Sequence, residues 1–510
     1  MSGARVSESV SPAGRRAIVV GAGLGGLSAA IRLAAAGWRV TVYEQQRIPG
    51  GKAGSEARGR YRFDTGPSLL TMPYVVEELF AEAGRDWRDY LEVERLEVIC
   101  NYFWPDGTRL HAYGDPDRFA AEVEEQLGEP AEHVRRYLQY AGRIHDTAAE
   151  IFLRHSLHDR RTYLSRLFWS RVWKLGRIDA MRTMNRANES FFRDLRLVQL
   201  FNRYATYNGS SPYQTPATLN IIPFVEYVHG GYSVVGGIHS LPRALERLAL
   251  ELGVEVRYGE RVDRIVTQSR TRRRAVATGV EVGSRFEPAD AVVSNVDVSV
   301  AYPQLLGDED AKQLQRYRRL EPSSSGLVFY WGVRGEFAEL TVNNIFFSAD
   351  YRSEFRQIFT ERRCPDDPTI YLNITSKVTP GDSPEGGENW FVLANAPYED
   401  GQEWTREVEH TRAVVVRRLS ETLGRDVSGL IEEEGIMTPP DIERKTMSYR
   451  GALYGISSNS RLAAFARHPN RSPDCAGLYF CGGSAHPGGG MPLVMLSGKI
   501  AADLIGYDYA

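Results

Sequence analysis

AIVVGAGLGGLSAAIRLAAAGWRVTVYE, residues 17–44, runs from four apolar residues into a glycine-rich turn and an Ala/Leu-rich stretch. A short run like AIVV reads as a strand buried on both faces, the kind found in parallel sheets. Gly21, Gly23 and Gly26 form G-x-G-x-x-G where strand meets helix, with Leu24 and Gly25 inside the motif. Glycine there permits a tight turn, close backbone approach to a pyrophosphate and close packing of helix on strand. The free N–H groups of the helix N-terminus then face the phosphates. Gly37 suits the residue just past the helix, and the following WRVTVYE ends at Glu44. A carboxylate roughly 20 residues beyond the glycines accepts hydrogen bonds from ribose hydroxyls. An incidental glycine turn explains none of this register, so a dinucleotide-binding βαβ unit is expected.

Two further glycine segments extend the reading. Gly50, Gly51 and Lys52 follow Glu44, and YRFDTGPSLL (61–70) carries Gly66, Pro67 and Ser68. Near the other end, GLYFCGGSAHPGGGMPLVMLSGKIAAD (477–503) leads from an apolar strand into Gly482, Gly483, Gly488, Gly489 and Gly490, then a small-residue helix opening at Met491 and Pro492. So many glycines are costly to order. A flat ring approaching the backbone accounts for them, and Pro487 and Pro492 argue against a merely flexible loop.

These segments resemble the flavoprotein superfamily of amine oxidases and carotenoid desaturases. GAGLGGLSAAIRLAAAGWRVTVYEQQRIPGGKAG and LYFCGGSAHPGGGMPLVMLSGK are most similar to the bacterial-type phytoene desaturase family, as are FDTGPSLLTMP and ADAVVSNVD (289–297). The resemblance implies FAD as cofactor. It places Gly50, Gly51, Lys52, Gly66, Pro67 and Ser68 near the phosphates and ribityl chain, and the backbone of Val262 at the adenine. Asn295, Gly482, Gly483, Gly490, Met491 and Pro492 complete the implied site. Helix N–H groups near Met491 would face the flavin N1/O2 edge.

Within that family, YNGSSPYQTPATLN (207–220), GGIHSL (236–241), SSSGLVFYWGV (323–333), NIFFSADYRSEF (344–355), LNITSK (372–377) and ENWFVLANAP (388–397) look most like 1-hydroxycarotenoid 3,4-desaturases. Phytoene desaturases carry a Gly-Thr-Gly version of GGIHSL, which Ile238 and His239 replace here. The resemblance implies loss of a hydride from a carbon beside a polyene to FAD, then of the neighbouring proton. No second nucleotide signature follows a later strand, so oxygen or a membrane quinone is the expected electron acceptor. Three alternatives stay open: a phytoene or other carotene desaturase, an amine-oxidase-like flavoenzyme, and a non-catalytic prenyl-lipid escort protein. An escort protein predicts an eroded cofactor site, whereas Gly21, Gly23, Gly26 and Glu44 are all present. His239 has two readings: a helix-capping or core histidine, or a catalytic polar group beside the substrate. His486, in the glycine turn, is open in the same way.

The expected fold class is α/β. A Rossmann-like FAD-binding domain of the amine-oxidase and glutathione-reductase-like kind, in three pieces (1–75, 235–300, 455–510), is interleaved with a helical substrate and membrane-associating region (76–234) and a mixed-sheet substrate domain that carries antiparallel strands (301–454). Helical patterning dominates from Tyr74 to about Gln199, and residues 321–400 read as sheet.

Composition narrows the classes further. A net charge of -3 gives no reason to expect nucleic acid. Four cysteines make neither a disulfide framework nor the paired intervals of a zinc site, and a reducing, cytoplasmic setting is expected. The first fifteen residues read as a tail without an apolar core. No apolar run reaches the roughly 18 residues that span a bilayer. One segment is biased: FLRHSLHDRRTYLSRLFWSRVWKLGR (152–177) sets seven Arg and Lys residues against Asp159, with aromatic residues between. It reads as a basic aromatic helix lying on a membrane surface, or packed on the body with a solvated face. An insoluble carotenoid substrate favours the first, hence a peripheral protein at the inner face of the cell membrane.

Overall fold

The computed structural model describes residues 14–166, 169, 176, 178–270, 273–460 and 466–510. Arg16–Val20 is the central strand of a five-stranded parallel sheet, ordered Leu478–Phe480, Ala291–Ser294, Arg16–Val20, Arg39–Glu44, Glu255–Tyr258. Its strands come from three stretches far apart in sequence, so this parallel layer is interleaved with the rest of the fold. The helix Leu24–Ala35 packs on it, buried along most of its length. That helix ends in a Schellman arrangement: Gly37, at φ +87°, donates to Ala34, and Trp38 N–H donates to Leu33.

The second layer is a seven-stranded sheet ordered Ile431–Met437, Ser325–Arg334, Gly387–Ala396, Ile370–Ile374, Asn343–Phe346, Val98–Phe103, Arg109–Tyr113. The strands of 321–400 pair antiparallel, as expected. Asn343–Phe346 then runs parallel to Val98–Phe103, which makes the whole sheet mixed. Helices dominate Tyr74–Gln199 as expected, but three strands interrupt them. Val93–Arg95, Val98–Phe103 and Arg109–Tyr113 are strands, and the last two form one edge of the large sheet. Their turn signal is Pro105-Asp106-Gly107, with Gly107 N–H donating to Trp104 and Trp104 N–H to Thr108. Helical structure resumes at Pro116–Leu127 and Ala131–Arg154.

The biased segment is not one helix. Ala131–Arg154 stops at His155, which is extended, and Asp159 caps a new short helix, Arg160–Leu164, by accepting from Arg161 N–H. Some of the basic residues are matched locally, Arg154 by Glu78 at 2.7 Å and Arg161 by Asp159 at 2.9 Å. Leu167, Phe168, Arg171, Val172, Trp173, Lys174 and Arg177 lie outside the described residues. Among the described residues, no helix is long and apolar enough to cross a membrane. All four cysteines are buried and free.

Candidate functional site

The glycines of the first motif sit where side chains cannot. A Cβ on Gly26 would lie 2.1 Å from the Gly21 carbonyl, and one on Gly23 would lie 2.5 Å from Asn295 Nδ2. Gly21, at φ +99°, donates its N–H to Tyr43. Gly23 occupies the N-cap of the helix beginning at Leu24 with no side chain capping it, so that terminus is left to a ligand. Glu44 is buried beside it. One carboxylate oxygen accepts from Ala22 N–H and the other from Gln46 N–H, both at 2.8 Å. A carboxylate has further lone pairs free for hydroxyl donors.

The C-terminal turn meets this motif directly. A Cβ on Gly25 would lie 2.8 Å from Asn295 Oδ1 and 3.1 Å from Gly482 N, and one on Gly482 would lie 2.8 Å from Asn295 Oδ1. Asn295, at the end of Ala291–Ser294, donates its N–H to Val20 and so wedges the two glycine turns apart. Helix Met491–Asp508 runs against Leu24–Ala35: a Cβ on Gly498 would lie 2.3 Å from the Gly25 carbonyl. Its N-cap, Gly490, stands at φ +105° with open space where a Cβ would point and no side-chain cap, and Pro492 starts the helix. Two uncapped helix N-termini, at Leu24 and Met491, are thereby brought to adjoining positions.

The remaining expected residues fall around these turns. Gly50 N–H donates to Ala22 at 2.9 Å, and Gly50 bridges Gly23. Lys52 Nζ donates to the Leu453 and Ala452 carbonyls at 2.7 and 3.1 Å. Burial lowers its pKa to about 8 against the opposing pull of Asp297. Gly66 lies under Lys52, since a Cβ there would overlap the Lys52 carbonyl at 1.9 Å. Pro67 is half-buried, and Ser68 Oγ is 2.5 Å from Tyr371 OH. Val262 is buried in the cluster that holds Tyr43, and nearby Glu260 donates its N–H to the Glu44 carbonyl.

The two histidines have clear surroundings. His239 is buried at the N-cap of Ser240–Glu251 without capping it; Nδ1 is 2.9 Å from the Ala53 carbonyl, and among the described residues Nε2 has no hydrogen-bond partner. His486 Nε2 is 2.9 Å from the His155 carbonyl, while its own carbonyl accepts from Asn470 and Ser497. Burial drives its pKa down to about 3, so it is a neutral tie between the glycine turn and the 155–158 segment.

Two polar groups escaped the sequence reading. Tyr371 OH joins Ser68 to the large sheet by donating to Asn343 Oδ1 at 2.7 Å. Arg203 and Glu226 form a buried pair at 3.5 Å, with Tyr204 and Tyr207 donating to Glu226 at 2.7 and 2.6 Å. The tyrosine-rich run RYATYN (203–208) was the available signal. Among the described residues no three His, Cys, Asp or Glu side chains are grouped to hold a metal ion.

The profile for "Flavin containing amine oxidoreductase" matches residues 24–506. The chain belongs to the flavin-containing amine oxidoreductase family. Residues present fit the family's group: glycine cradles, two uncapped helix termini, a buried carboxylate with lone pairs to spare and open space above Gly490. The cofactor of this flavin-containing oxidoreductase is FAD.

Among its relatives is a 1-hydroxycarotenoid 3,4-desaturase of Flavobacterium sp. (strain P99-3), 41% identical over 494 residues, spanning 96% of this chain and 99% of the relative. A 4,4'-diapolycopene oxygenase of Methylomonas sp is 35% identical over 496 residues, spanning 97% and 98%. A putrescine oxidase variant shares the fold at TM-score 0.63 and 14% identity, covering 97% of this chain and 99% of that one.

Proposed function

We propose that this flavoprotein is a carotenoid desaturase that inserts the 3,4 double bond into a 1-hydroxycarotenoid. The observation that carries the reading is 41% identity along 96% of the chain to a relative of that activity. Bound FAD supplies a hydride acceptor. The protein orients a long apolar substrate and keeps water out. Half-buried Leu69, Tyr207, Phe224, Tyr371, Leu393 and Leu453, packed on two core clusters, offer apolar surface suited to that task. Loss of a hydride beside a polyene leaves a delocalised cation, whose neighbouring C–H gives up its proton to a weak base. His239 is our candidate: Nδ1–H is spent on Ala53, so Nε2 keeps a lone pair. A His239→Gln variant with full FAD occupancy and unchanged kcat reduces His239 to a latch on the cofactor loop.

A second reading follows from the oxygenase relative. One incubation separates the two: purified holoprotein, liposomes and a 1-hydroxycarotenoid or an end-group-methyl carotene, with products read by mass and absorption. Loss of two hydrogens from the hydroxycarotenoid supports desaturation, and gain of oxygen on a terminal methyl replaces it.

Peripheral membrane binding belongs to the same proposal. Leu164, Trp169 and Met181 expose 78%, 64% and 72% of their surface, close in sequence to Arg160, Arg161 and Arg166. Apolar side chains among cations suit an anionic bilayer surface, the source of an insoluble substrate. Oxygen or a membrane quinone is the proposed acceptor for the electrons. Turnover without oxygen, quinone or any added acceptor removes that part of the proposal.

A further inference from the structure

Among the described residues three arginines are buried: Arg32, Arg203 and Arg467. Arg32 meets Glu82 at 2.6 Å, and Arg203 meets Glu226 at 3.5 Å. Arg467 is 3% exposed and, among the described residues, no carboxylate lies within ion-pair distance of it. Its guanidinium is held by neutral acceptors alone. Nη1 donates to the Gly483 and Tyr454 carbonyls at 3.0 and 3.3 Å, and Nη2 donates to Asn208 Oδ1 and the Ile456 carbonyl at 3.1 and 3.3 Å. The titratable neighbours do not compensate it. His468 and His486 are kept neutral by burial, and the Tyr317 phenol is pushed well above its ordinary pKa.

A guanidinium stays protonated even when buried, and a buried charge without a counterion is costly. Its position gives the cost a use. Gly488 is glycine because a Cβ would strike the guanidinium at 2.6 Å, and Gly483 hands it a carbonyl. Arg467 therefore lies directly beneath the glycine turn 482–490, on which the family's ring system is expected to rest. The partly buried Lys52, by contrast, has Asp297 opposite it.

We infer that Arg467 is a fixed positive charge whose missing counterion is the negative charge placed on FAD by reduction. It is a positioning residue that touches the turn, and it raises the reduction potential of bound FAD. The inference rests on FAD binding and is independent of which carotenoid is the substrate.

The test uses FAD-loaded protein with Arg467→Gln and Arg467→Lys. The readouts are a dye-equilibrated reductive titration and the affinity of oxidised flavin for sulfite, whose adduct places negative charge on the ring. Arg467→Gln is expected to shift the two-electron equilibrium toward oxidised flavin by about tenfold, roughly 30 mV. It should weaken sulfite binding to a similar degree, and Arg467→Lys should restore most of both. An unchanged potential and sulfite affinity overturns the inference, whatever happens to FAD affinity, because a purely structural arginine alters occupancy and not potential. Should Arg467→Gln fail to load FAD, Asn208→Asp supplies a carboxylate to Nη2 while keeping the arginine. A lower potential in that variant supports the inference, and an unchanged one overturns it.

Discussion

The hydroxyl of Ser28 donates to the backbone carbonyl of Met495 at 2.7 Å across 467 positions of sequence. This bond fastens the helix that follows the first glycine motif to the helix that follows the last. Beside it, Gly498 lies over the Gly25 carbonyl, so the two helices touch backbone to backbone.

Gly498→Ala tests that contact. A methyl group there would lie 2.3 Å from the Gly25 carbonyl and 3.0 Å from Ala29 N, which are backbone atoms that cannot rotate away. A stability loss of about 2 kcal/mol is expected from overpacking, with weaker FAD retention. Urea denaturation and flavin fluorescence measure the two effects. A variant as stable as the parent rejects the tight helix contact.

Glu44→Gln addresses the ribose acid. Both Glu44 oxygens already accept backbone N–H groups, from Ala22 and Gln46. An amide offers one oxygen and turns a donor toward the other N–H, which costs the desolvation of a buried donor. FAD affinity should fall roughly tenfold, about 1.4 kcal/mol, as read by equilibrium dialysis of apoprotein. Unchanged affinity removes Glu44 from the cofactor site.

Acid sensitivity follows from His468 and His486, both buried, with pKa values depressed to about 3 from the ordinary 6.5. The unfolded chain binds protons on these rings below pH 6.5, while the folded protein does not. Stability is therefore fully present above pH 6.5 and declines as pH falls toward 3, by about 1.4 kcal/mol per unit for each ring. Urea midpoints at pH 7.5, 6.5 and 5.5 test this, and a midpoint that does not drop below pH 6.5 contradicts it.

The exposed apolar residues near the basic segment give a membrane prediction. Leu164→Ser combined with Trp169→Ser removes two side chains that are 78% and 64% exposed. Flotation with anionic liposomes should show binding weaker by about a hundredfold or more, since burying each contributes of order 1.5–3 kcal/mol. Activity on detergent-solubilised substrate should be retained. Equal flotation of both proteins places the membrane contact elsewhere.

Glu226→Gln strips from Arg203 and from two tyrosine hydroxyls the one carboxylate they share among the described residues. Removing one partner of a buried pair costs about 3 kcal/mol or more. A loss of unfolding free energy in urea smaller than a third of that value would show the pair to be solvated.

The cofactor layer was legible in sequence because its requirements are local backbone ones. Gly21, Gly23 and Gly26 between AIVV and an Ala-rich helix can be read within one short window, as can the turn at 482–490. The large sheet was partly hidden. Its edge depends on Val98–Phe103 pairing parallel with Asn343–Phe346, a contact no local pattern announces, although Pro105-Asp106-Gly107 marked the hairpin. The 152–177 segment was read as one helix because its aromatic and basic residues alternate smoothly. Asp159, a good N-cap, was the overlooked stop signal. Arg467 was illegible for a different reason: lacking a counterion is a property of three-dimensional surroundings, and a sequence displays only what is present.

The joining of Ser28 to Met495 has a consequence for biosynthesis. A nascent chain on the ribosome can pair Arg16–Val20 with Arg39–Glu44 early, but it has no Gly482 to meet Asn295 and no Met491 helix to cover Gly25. On the proposed site, capture of the flavin therefore waits until the Gly482 turn and the Met491–Asp508 helix have been made. Fragments cut short before Gly482 are expected to emerge colourless, because they lack the second of the two glycine turns that meet at Asn295.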